Sequence, residues 1–481
     1  MNPYNILWVC ADQQRFDTLN CYGNPFVHTP NLNGLAERGT IFNNCFSQSP
    51  VCTPSRSCFL TGRYPRTTGC RQNGQDIPET EIPVTKILSD AGYTCGLSGK
   101  LHLSACHPDA CPTIERRIDD GYSEFYWSHH PYRDEWPGYN QYQLWLKEKG
   151  EVCDPPQHPE CKWVAFSPRE EFHHTTWCAN KGIDFIERRA NDKSPWLFSM
   201  NLFDPHHPFD APEEYLSRYM PFLDEIPLPN YVEGELEHKT VFQRIDHEGA
   251  YGRERMYPFT KMSEKDHRLI RASYYAMCDL IDAQAGRLIK ALEETGQSEN
   301  TIVIFSADHG EMLGDHGIYL KGPYFYEPAI HVPLIISFPG HIKQGRSEAL
   351  IELADIAPTL LEAVGLPRHP GMQGRSFWKL LSGEEERNSR REDVYCEYYN
   401  ALDSHRDPTA QLTMARTPHI KIVVDHSHSF GELYDLKKDP KETNNLWDDP
   451  DYRDVKMEML LRVCNRMAWT VDPLPLRRSG W

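Results

Sequence analysis

Short apolar segments alternate along this chain with segments of helical periodicity, and this alternation limits the fold more than any other feature. The apolar segments that predict strands span residues 5–11, 93–97, 196–202, 301–306 and 332–337. The segments that predict helices include residues 30–38, 84–91 and 266–294. Strands separated by helices are typical of a mostly parallel sheet covered on both faces. We therefore predict an α/β fold with a mostly parallel central sheet sandwiched by helices.

Two stretches interrupt the alternation. Residues 105–169 are rich in Pro, Trp, Tyr and His, and we expect them to form an insertion that shapes a pocket. After about residue 370 the pattern weakens, and residues 421–424 and 432–434 predict a short antiparallel sheet before a terminal helix. The predicted domains are 1–370, with the insertion around 105–169, and a small α+β subdomain over 371–481.

The charge balance excludes whole classes of partner. The formal net charge is -18 at pH 7, so the chain lacks the positive field that binding to nucleic acid or to an anionic membrane requires. No apolar run approaches the roughly 20 residues that span a bilayer. The first apolar run is too short for a signal peptide. We therefore expect a cytoplasmic protein, or a secreted one if a leader has been removed, and we leave open whether it forms oligomers.

The number and spacing of the cysteines indicate their chemical state. The chain has 15 cysteines, an odd number, and no CxxC pair. Without a leader, we expect most of them to be small buried thiols rather than disulfides. At least one cysteine then needs its own explanation.

The strongest local signal surrounds Cys52. Pro54 suits the first position of a helix with Thr53 as its N-cap, and Gly62 suits the end of that helix. A helix N-terminus attracts anions and lowers the pKa of a thiol. A buried structural cysteine is the alternative. A tyrosine-phosphatase site is excluded, because Cys58 stands where that chemistry needs an arginine.

Two acidic residues directly follow predicted strands. Asp12 and Asp308 would both emerge at the carboxyl ends of parallel strands, where ligands collect, with Gln13 and His309 beside them. Two carboxylates, an amide oxygen and an imidazole favour Ca²⁺ or Mg²⁺, and the imidazole also admits Mn²⁺. A lone Asp after a strand is more often a turn or cap residue, but the pairing favours a metal site.

Cationic side chains form the third signal. Lys100, His102, His206 and Lys321 lie in predicted loops. Taken singly, each lysine indicates a solvated surface charge and each histidine a turn or packing residue.

Together these segments closely resemble the formylglycine-dependent sulfatases of the alkaline-phosphatase-like superfamily. The resemblance rests on Cys52-Thr53-Pro54-Ser55-Arg56 followed by Leu60-Thr61-Gly62-Arg63, and on residues 12–13, 28–32, 99–102, 205–209, 306–310 and 432–436. It implies that Cys52 is oxidised by a maturation enzyme to formylglycine, which would also contact the metal. That modification would account for one odd cysteine.

The resemblance also implies a role for each cation, with a small alkyl, aryl or sugar sulfate as substrate. Arg56 would hold the formylglycine oxygens, and Lys100 and Lys321 would bind the sulfate oxygens. His206 would protonate the leaving group, and His102 would act as the base that releases sulfate from the enzyme.

Two positions depart from the most frequent sulfatase pattern. Many sulfatases have a second Asp where this chain has Gln13, and some have Asn where it has His309. These forms are more similar to the choline-sulfatase and phosphonate-monoester-hydrolase branches, which leaves open whether Gln13 binds the metal. A phosphonate or phosphate diester hydrolase with side sulfatase activity is therefore the alternative function, and a degenerate sulfoglycan-binding protein is a third.

Overall fold

The computed structural model describes residues 3–131, 136–154, 156–386, 388 and 391–479. Its strands are β1 Asn5–Ala11, β2 Gly39–Phe46, β3 Thr94–Gly99, β4 Tyr122–Trp127, β5 Gln157–His158, β6 Cys161–Phe166, β7 Trp196–Asn201, β8 Phe209–Ala211, β9 Thr301–Ala307, β10 His331–Val332, β11 Leu334–Ser337, β12 Gly345–Glu352, β13 Val394–Tyr399, β14 Gln411–Arg416, β15 Ile420–Asp425 and β16 Phe430–Asp435.

The α-helices lie mostly between these strands. They are α1 Pro30–Glu37, α2 Cys52–Thr61, α3 Pro65–Thr68, α4 Val84–Asp90, α5 Gln141–Lys149, α6 His174–Arg188, α7 Glu213–Leu216, α8 Val241–His247, α9 Glu264–Glu294, α10 Glu327–Ile330, α11 Ile356–Ala363, α12 Trp378–Ser382 and α13 Arg453–Trp469. The longest, α9, begins with a capping box between Ser263 and Asp266.

A nine-stranded sheet forms the centre of the molecule. Its strand order is β10-β2-β11-β9-β1-β7-β3-β4, and β12 pairs with β2. The strands β9, β1, β7, β3 and β4 run parallel to one another, whereas β11 is antiparallel to both β2 and β9. Every residue of β1, β7 and β9 is buried, as expected where helices cover both faces of a parallel sheet. The predicted fold class is confirmed.

The carboxyl-terminal part of the chain forms its own sheet. Four antiparallel strands, β13 to β16, lie in sequence order, and α13 packs against β14 and β15. The predicted antiparallel sheet and terminal helix are confirmed. Lys421 joins this sheet to the large domain, because its Nζ donates to the Phe325 carbonyl at 2.9 Å.

The stretch predicted as an insertion is less separate than its composition indicates. Within residues 105–169, β4 pairs in parallel with β3 and forms the edge of the central sheet. Among the described residues of this stretch, only β5 and β6 lie in a different sheet, a small one that β8 completes.

The cysteines match the expectation of free thiols. All 15 lie among the described residues, none is in a disulfide, and only Cys464 is exposed. Among the helices of the described residues, none has the length and apolar character needed to cross a bilayer.

Candidate active site

The sheet places Asp12 and Asp308 side by side. Strands β1 and β9 are parallel neighbours with Ala11 in register with Ala307, so the residue after each strand emerges at the same edge. Both carboxylates are fully buried. The backbone N–H groups of Gln13 and His309 donate to Asp308 Oδ1 at 3.0 and 2.9 Å, which orients that carboxylate. The predicted juxtaposition of the two acids is confirmed.

Cys52 lies in the first turn of α2. The helix begins at Cys52 with Val51 in the N-cap position, so the prediction that Thr53 caps it is wrong. The Thr53 N–H instead donates to Asn73 Oδ1 at 3.0 Å, so a distant side chain satisfies an amide that a local cap would otherwise satisfy. The predicted end at Gly62 is confirmed, because its φ is 66° and its N–H donates to the Cys58 carbonyl at 2.8 Å.

Charged side chains surround the Cys52 sulfur. Its Sγ lies 2.9 Å from Lys321 Nζ, 3.1 Å from His309 Nε2 and 3.6 Å from Asp12 Oδ1. Burial and Asp12 raise the pKa of the thiol, but Lys100, Lys321 and His309 outweigh them and lower it to about 7. Burial raises the pKa of the Cys58 thiol in the same helix. Position 52 is therefore built to hold negative charge.

Arg56 links the two acids from inside the protein. Its side chain has no exposed surface, and its Nε donates to Asp308 Oδ2 at 2.8 Å. Its Nη2 lies 3.4 Å from Asp12 Oδ2, and its Nη1 donates to the Lys100 carbonyl at 2.8 Å. Burial alone would raise the pKa of Asp12, but Lys100, Arg56 and Lys321 hold it well below its usual range. The Asp12 carboxylate can thus stay ionised although it is fully buried.

Two buried lysines add positive charge to the site. Lys100 follows β3 directly, and its Nζ lies 2.5 Å from Asp12 Oδ2. Lys321 Nζ donates to Gln13 Oε1 at 2.7 Å. With Arg56, three fixed cations face two carboxylates, so the site attracts an anion even though the whole chain is acidic.

His102 and His206 are slightly less buried than Cys52. They are 6% and 8% exposed, whereas Cys52 is 1% exposed. Burial and Lys100 lower the pKa of His102, and burial and Lys321 lower that of His206, so both rings lie within the field of the lysines. His206 Nδ1 contacts the His207 carbonyl at 2.6 Å, and within the described residues no hydrogen bond is made by its Nε2. No hydrogen bond joins either ring to Cys52 among the residues described.

Two acidic residues that orient the site were not predicted. Glu311 accepts hydrogen bonds from Gln13 Nε2 and from the Leu313 N–H, so it fixes the loop after β9. Glu115 accepts from the His102 N–H at 3.0 Å and holds that residue at a φ of 57°. Glu311 stands three residues after Asp308, and that proximity was an available signal. Glu115 lies in the irregular stretch before β4, and no sequence pattern there marks it as part of the site.

The donor atoms fit a divalent cation. Ligand atoms of Asp12, Cys52, Asp308 and His309 all lie within 4.8 Å of one another. Lys321 Nζ lies 2.7 Å from Gln13 Oε1 and 3.4 Å from His309 Nε2. These two donor atoms therefore already lie beside a positive charge. The His309 Nδ1 lies 2.9 Å from the Gly310 carbonyl, which fixes the ring and directs Nε2 inward.

Comparisons with known proteins show the family of this chain. The sulfatase family model matches residues 4–366, and a model described as the carboxyl-terminal part of N-sulphoglucosamine sulphohydrolase matches residues 314–468. An arylsulfatase of Clostridium perfringens is 31% identical over 475 residues, which cover 94% of this chain and 92% of that protein.

A second sequence relative and a solved structure are also similar to this chain. A choline-sulfatase of Rhizobium meliloti is 28% identical over 93% of this chain and 83% of its own length. A phosphonate monoester hydrolase from Silicibacter pomeroyi has the same fold, with a TM-score of 0.84, 24% identity and coverage of 98% of this chain and 96% of that one. The chain therefore belongs to the sulfatase family and is a sulfuric ester hydrolase.

Proposed function

We propose that the enzyme hydrolyses a small alkyl, aryl or sugar sulfate through a nucleophile derived from Cys52. The observation that carries this proposal is the position of Cys52 at a helix N-terminus, with Lys321 Nζ at 2.9 Å and His309 Nε2 at 3.1 Å. The site is deeply buried and the remaining surface is acidic, so we infer that small sulfate esters are preferred over long polyanions.

Formylglycine and a divalent cation would supply chemistry that the unmodified side chains lack. Formylglycine formed from Cys52 by a maturation enzyme would supply a hydrated aldehyde as nucleophile, and a divalent cation held by Asp12, Gln13, Asp308 and His309 would acidify its attacking hydroxyl. We propose Ca²⁺ for this cation, because most of the donors are oxygen atoms, with Mn²⁺ or Mg²⁺ as alternatives.

The remaining side chains have roles that follow from their charge and position. Lys100 and Lys321 bind the sulfate oxygens and stabilise the charge that develops on them. Arg56 keeps Asp308 and the residue at position 52 oriented. His102 is neutral at pH 7, because burial and Lys100 lower its pKa, so it is able to accept a proton from the nucleophile's second hydroxyl.

His206 is assigned the opposite task of protonating the leaving oxygen. Burial and the nearby Lys321 lower its pKa, so it is neutral before substrate arrives. A sulfate anion bound between Lys321 and His206 offsets the lysine charge and raises the pKa of the imidazole towards its usual range. The acid therefore forms only when substrate occupies the site.

This assignment predicts a dependence on the leaving group. His206→Gln should lower kcat for an alkyl sulfate by roughly 10²- to 10⁴-fold. The loss should be small for 4-nitrophenyl sulfate, because nitrophenolate leaves without a proton. Steady-state kinetics on both esters measure the difference. His207, whose ring stacks on His206 at 4.0 Å, provides the control: His207→Gln should not change the ratio of the two rates. An equal loss on both esters for His206→Gln would contradict the proposed role.

A phosphonate or phosphate diester hydrolase is the second candidate. It is favoured by the Asp12-Gln13 and Asp308-His309 pairs, which are similar to those of the phosphonate-hydrolase branch. Sulfate monoesters and phosphonate monoesters both carry a single negative charge, so the charge of the site does not separate them. Measuring relative rates on matched sulfate and phosphonate esters separates the two candidate functions.

A further inference from the structure

Three metal-binding side chains lie together beside the proposed base and outside the site of Asp12 and Asp308. His102, Cys106 and His129 each offer a ligand atom, these atoms lie within 4.8 Å of one another, and all three residues are buried. The cluster is a product of the fold. His102 follows β3, His129 follows the neighbouring parallel strand β4, and their rings meet edge to face with centroids 4.4 Å apart.

Both imidazoles have unused nitrogen atoms. The Nδ1 atoms of His102 and His129 are buried and have no hydrogen-bond partner within the described part of the chain. An unpaired buried polar atom destabilises the folded state, so proteins rarely keep one without a use. Burial lowers the pKa of both rings, which keeps them neutral and leaves each with a lone pair for a metal.

Glu115 holds the parts of this cluster in place. Its carboxylate accepts from the His102 N–H at 3.0 Å and from Trp127 Nε1 at 2.9 Å, which links the loop after β3 to the end of β4. Cys106 Sγ lies 3.6 Å from the same carboxylate. Metal ligands are commonly oriented by such a hydrogen-bonded carboxylate behind them.

The donor set differs in chemistry from that of the calcium site. Two nitrogens and one sulfur suit Zn²⁺ and other thiophilic cations, whereas Ca²⁺ takes oxygen ligands. We propose that His102, Cys106 and His129 form an inhibitory binding site for Zn²⁺, separate from the site at Asp12 and Asp308. When Zn²⁺ binds, the Cys106 S–H bond breaks, the sulfur keeps the electron pair as thiolate, and the proton passes to Glu115 or to water.

Binding removes His102 from turnover, because a ring nitrogen that coordinates Zn²⁺ no longer accepts a proton. This loss of activity rests on the proposed role of His102 as base, whereas metal binding itself does not. Inhibition and binding are therefore measured separately.

The test uses the matured enzyme in saturating calcium. Zn²⁺ is titrated while sulfate release is followed, and its affinity is measured by calorimetry. Cd²⁺ is titrated in parallel, because a cadmium–thiolate bond gives an ultraviolet charge-transfer band. Cys106→Ser should keep its activity without zinc, lose the cadmium band and weaken Zn²⁺ binding at least about tenfold. Cys111→Ser is the matched control, since Cys111 lies in the same loop and its thiol donates to the Thr113 carbonyl at 3.7 Å, and it should behave as wild type.

Each outcome decides one part of the proposal. If Cys106→Ser is inhibited by zinc as strongly as wild type, zinc acts elsewhere, for example by displacing calcium, and the inhibitory site is overturned. If zinc binds through Cys106 without inhibiting, the binding site stands, and the inhibition and the assignment of His102 as base fall. If Cys106→Ser does not fold, His129→Gln is used instead, and Zn²⁺ affinity equal to wild type would overturn the site.

Discussion

Replacing Cys52 with alanine should lower kcat/KM for sulfate esters by roughly 10⁴-fold or more in protein made alongside its maturation enzyme. The change removes the side chain from which the nucleophile is formed, whereas the lysines, Arg56 and the metal ligands stay. Residual activity would come from positioning and charge alone. Sulfate release and the mass of the peptide that contains residue 52 measure rate and modification in the same samples.

Cys58→Ala is the matched control. Cys58 lies on the same helix and is equally buried, but its thiol faces Gln48 Oε1 at 3.7 Å rather than the metal ligands. We expect that variant to lose some stability and to keep its kcat/KM. Full activity of Cys52→Ala would exclude any mechanism in which this residue reacts.

Replacing Arg56 with methionine should have the largest effect on stability. The change leaves the buried carboxylates of Asp12 and Asp308 without the guanidinium that touches both, and loss of one partner from a buried ion pair costs about 3–5 kcal/mol of unfolding free energy. A divalent cation between the same carboxylates would offset part of this cost. We therefore expect the loss to be largest with a chelator and smaller in saturating calcium, as measured by urea denaturation.

Arg38→Met serves as the control for this experiment. Arg38 pairs with Glu293 at 3.0 Å on the surface, where both side chains are about half exposed, and such a pair contributes about 0–1 kcal/mol. Its small effect should not depend on calcium. An Arg56→Met variant that loses the same free energy with and without calcium would show that no cation binds between Asp12 and Asp308.

The sequence predicts much of this site because strand ends mark it. Asp12 and Asp308 follow apolar strands, and parallel strands bring their carboxyl ends to one edge, so their proximity follows from local pattern and fold class together. Lys100 follows β3 in the same way. Lys321 does not follow a predicted strand, and only the resemblance to the sulfatases assigned it to the site.

Other features depend on contacts between residues far apart in the chain. The start of α2 is set by Asn73, which satisfies the Thr53 N–H, and no local pattern reports that contact. Strand β4 was hidden within a stretch of mixed composition because, at the sheet edge, it is only partly buried. Glu115 and the Zn²⁺ ligands Cys106 and His129 come together only once β4 pairs with β3. The predicted cytoplasmic location stays a prediction.

Cys52 differs from other buried cysteines in its surroundings, and the site differs in charge from the chain as a whole. Cys52 is the cysteine whose pKa is lowered to about 7, whereas burial raises that of neighbours such as Cys10 and Cys58. The charge of -18 belongs to the whole chain, while the site gathers Arg56, Lys100 and Lys321 around Asp12, Asp308 and Cys52.

The most direct test of this account compares two esters with the same leaving group. The matured, calcium-loaded enzyme is assayed on 4-nitrophenyl sulfate and on the 4-nitrophenyl ester of phenylphosphonate, with Cys52→Ala measured beside it. We predict a higher kcat/KM for the sulfate, and loss of both activities in the variant. A kcat/KM that favours the phosphonate tenfold or more would contradict the assignment of a sulfate ester as the substrate and would support the diester hydrolase instead.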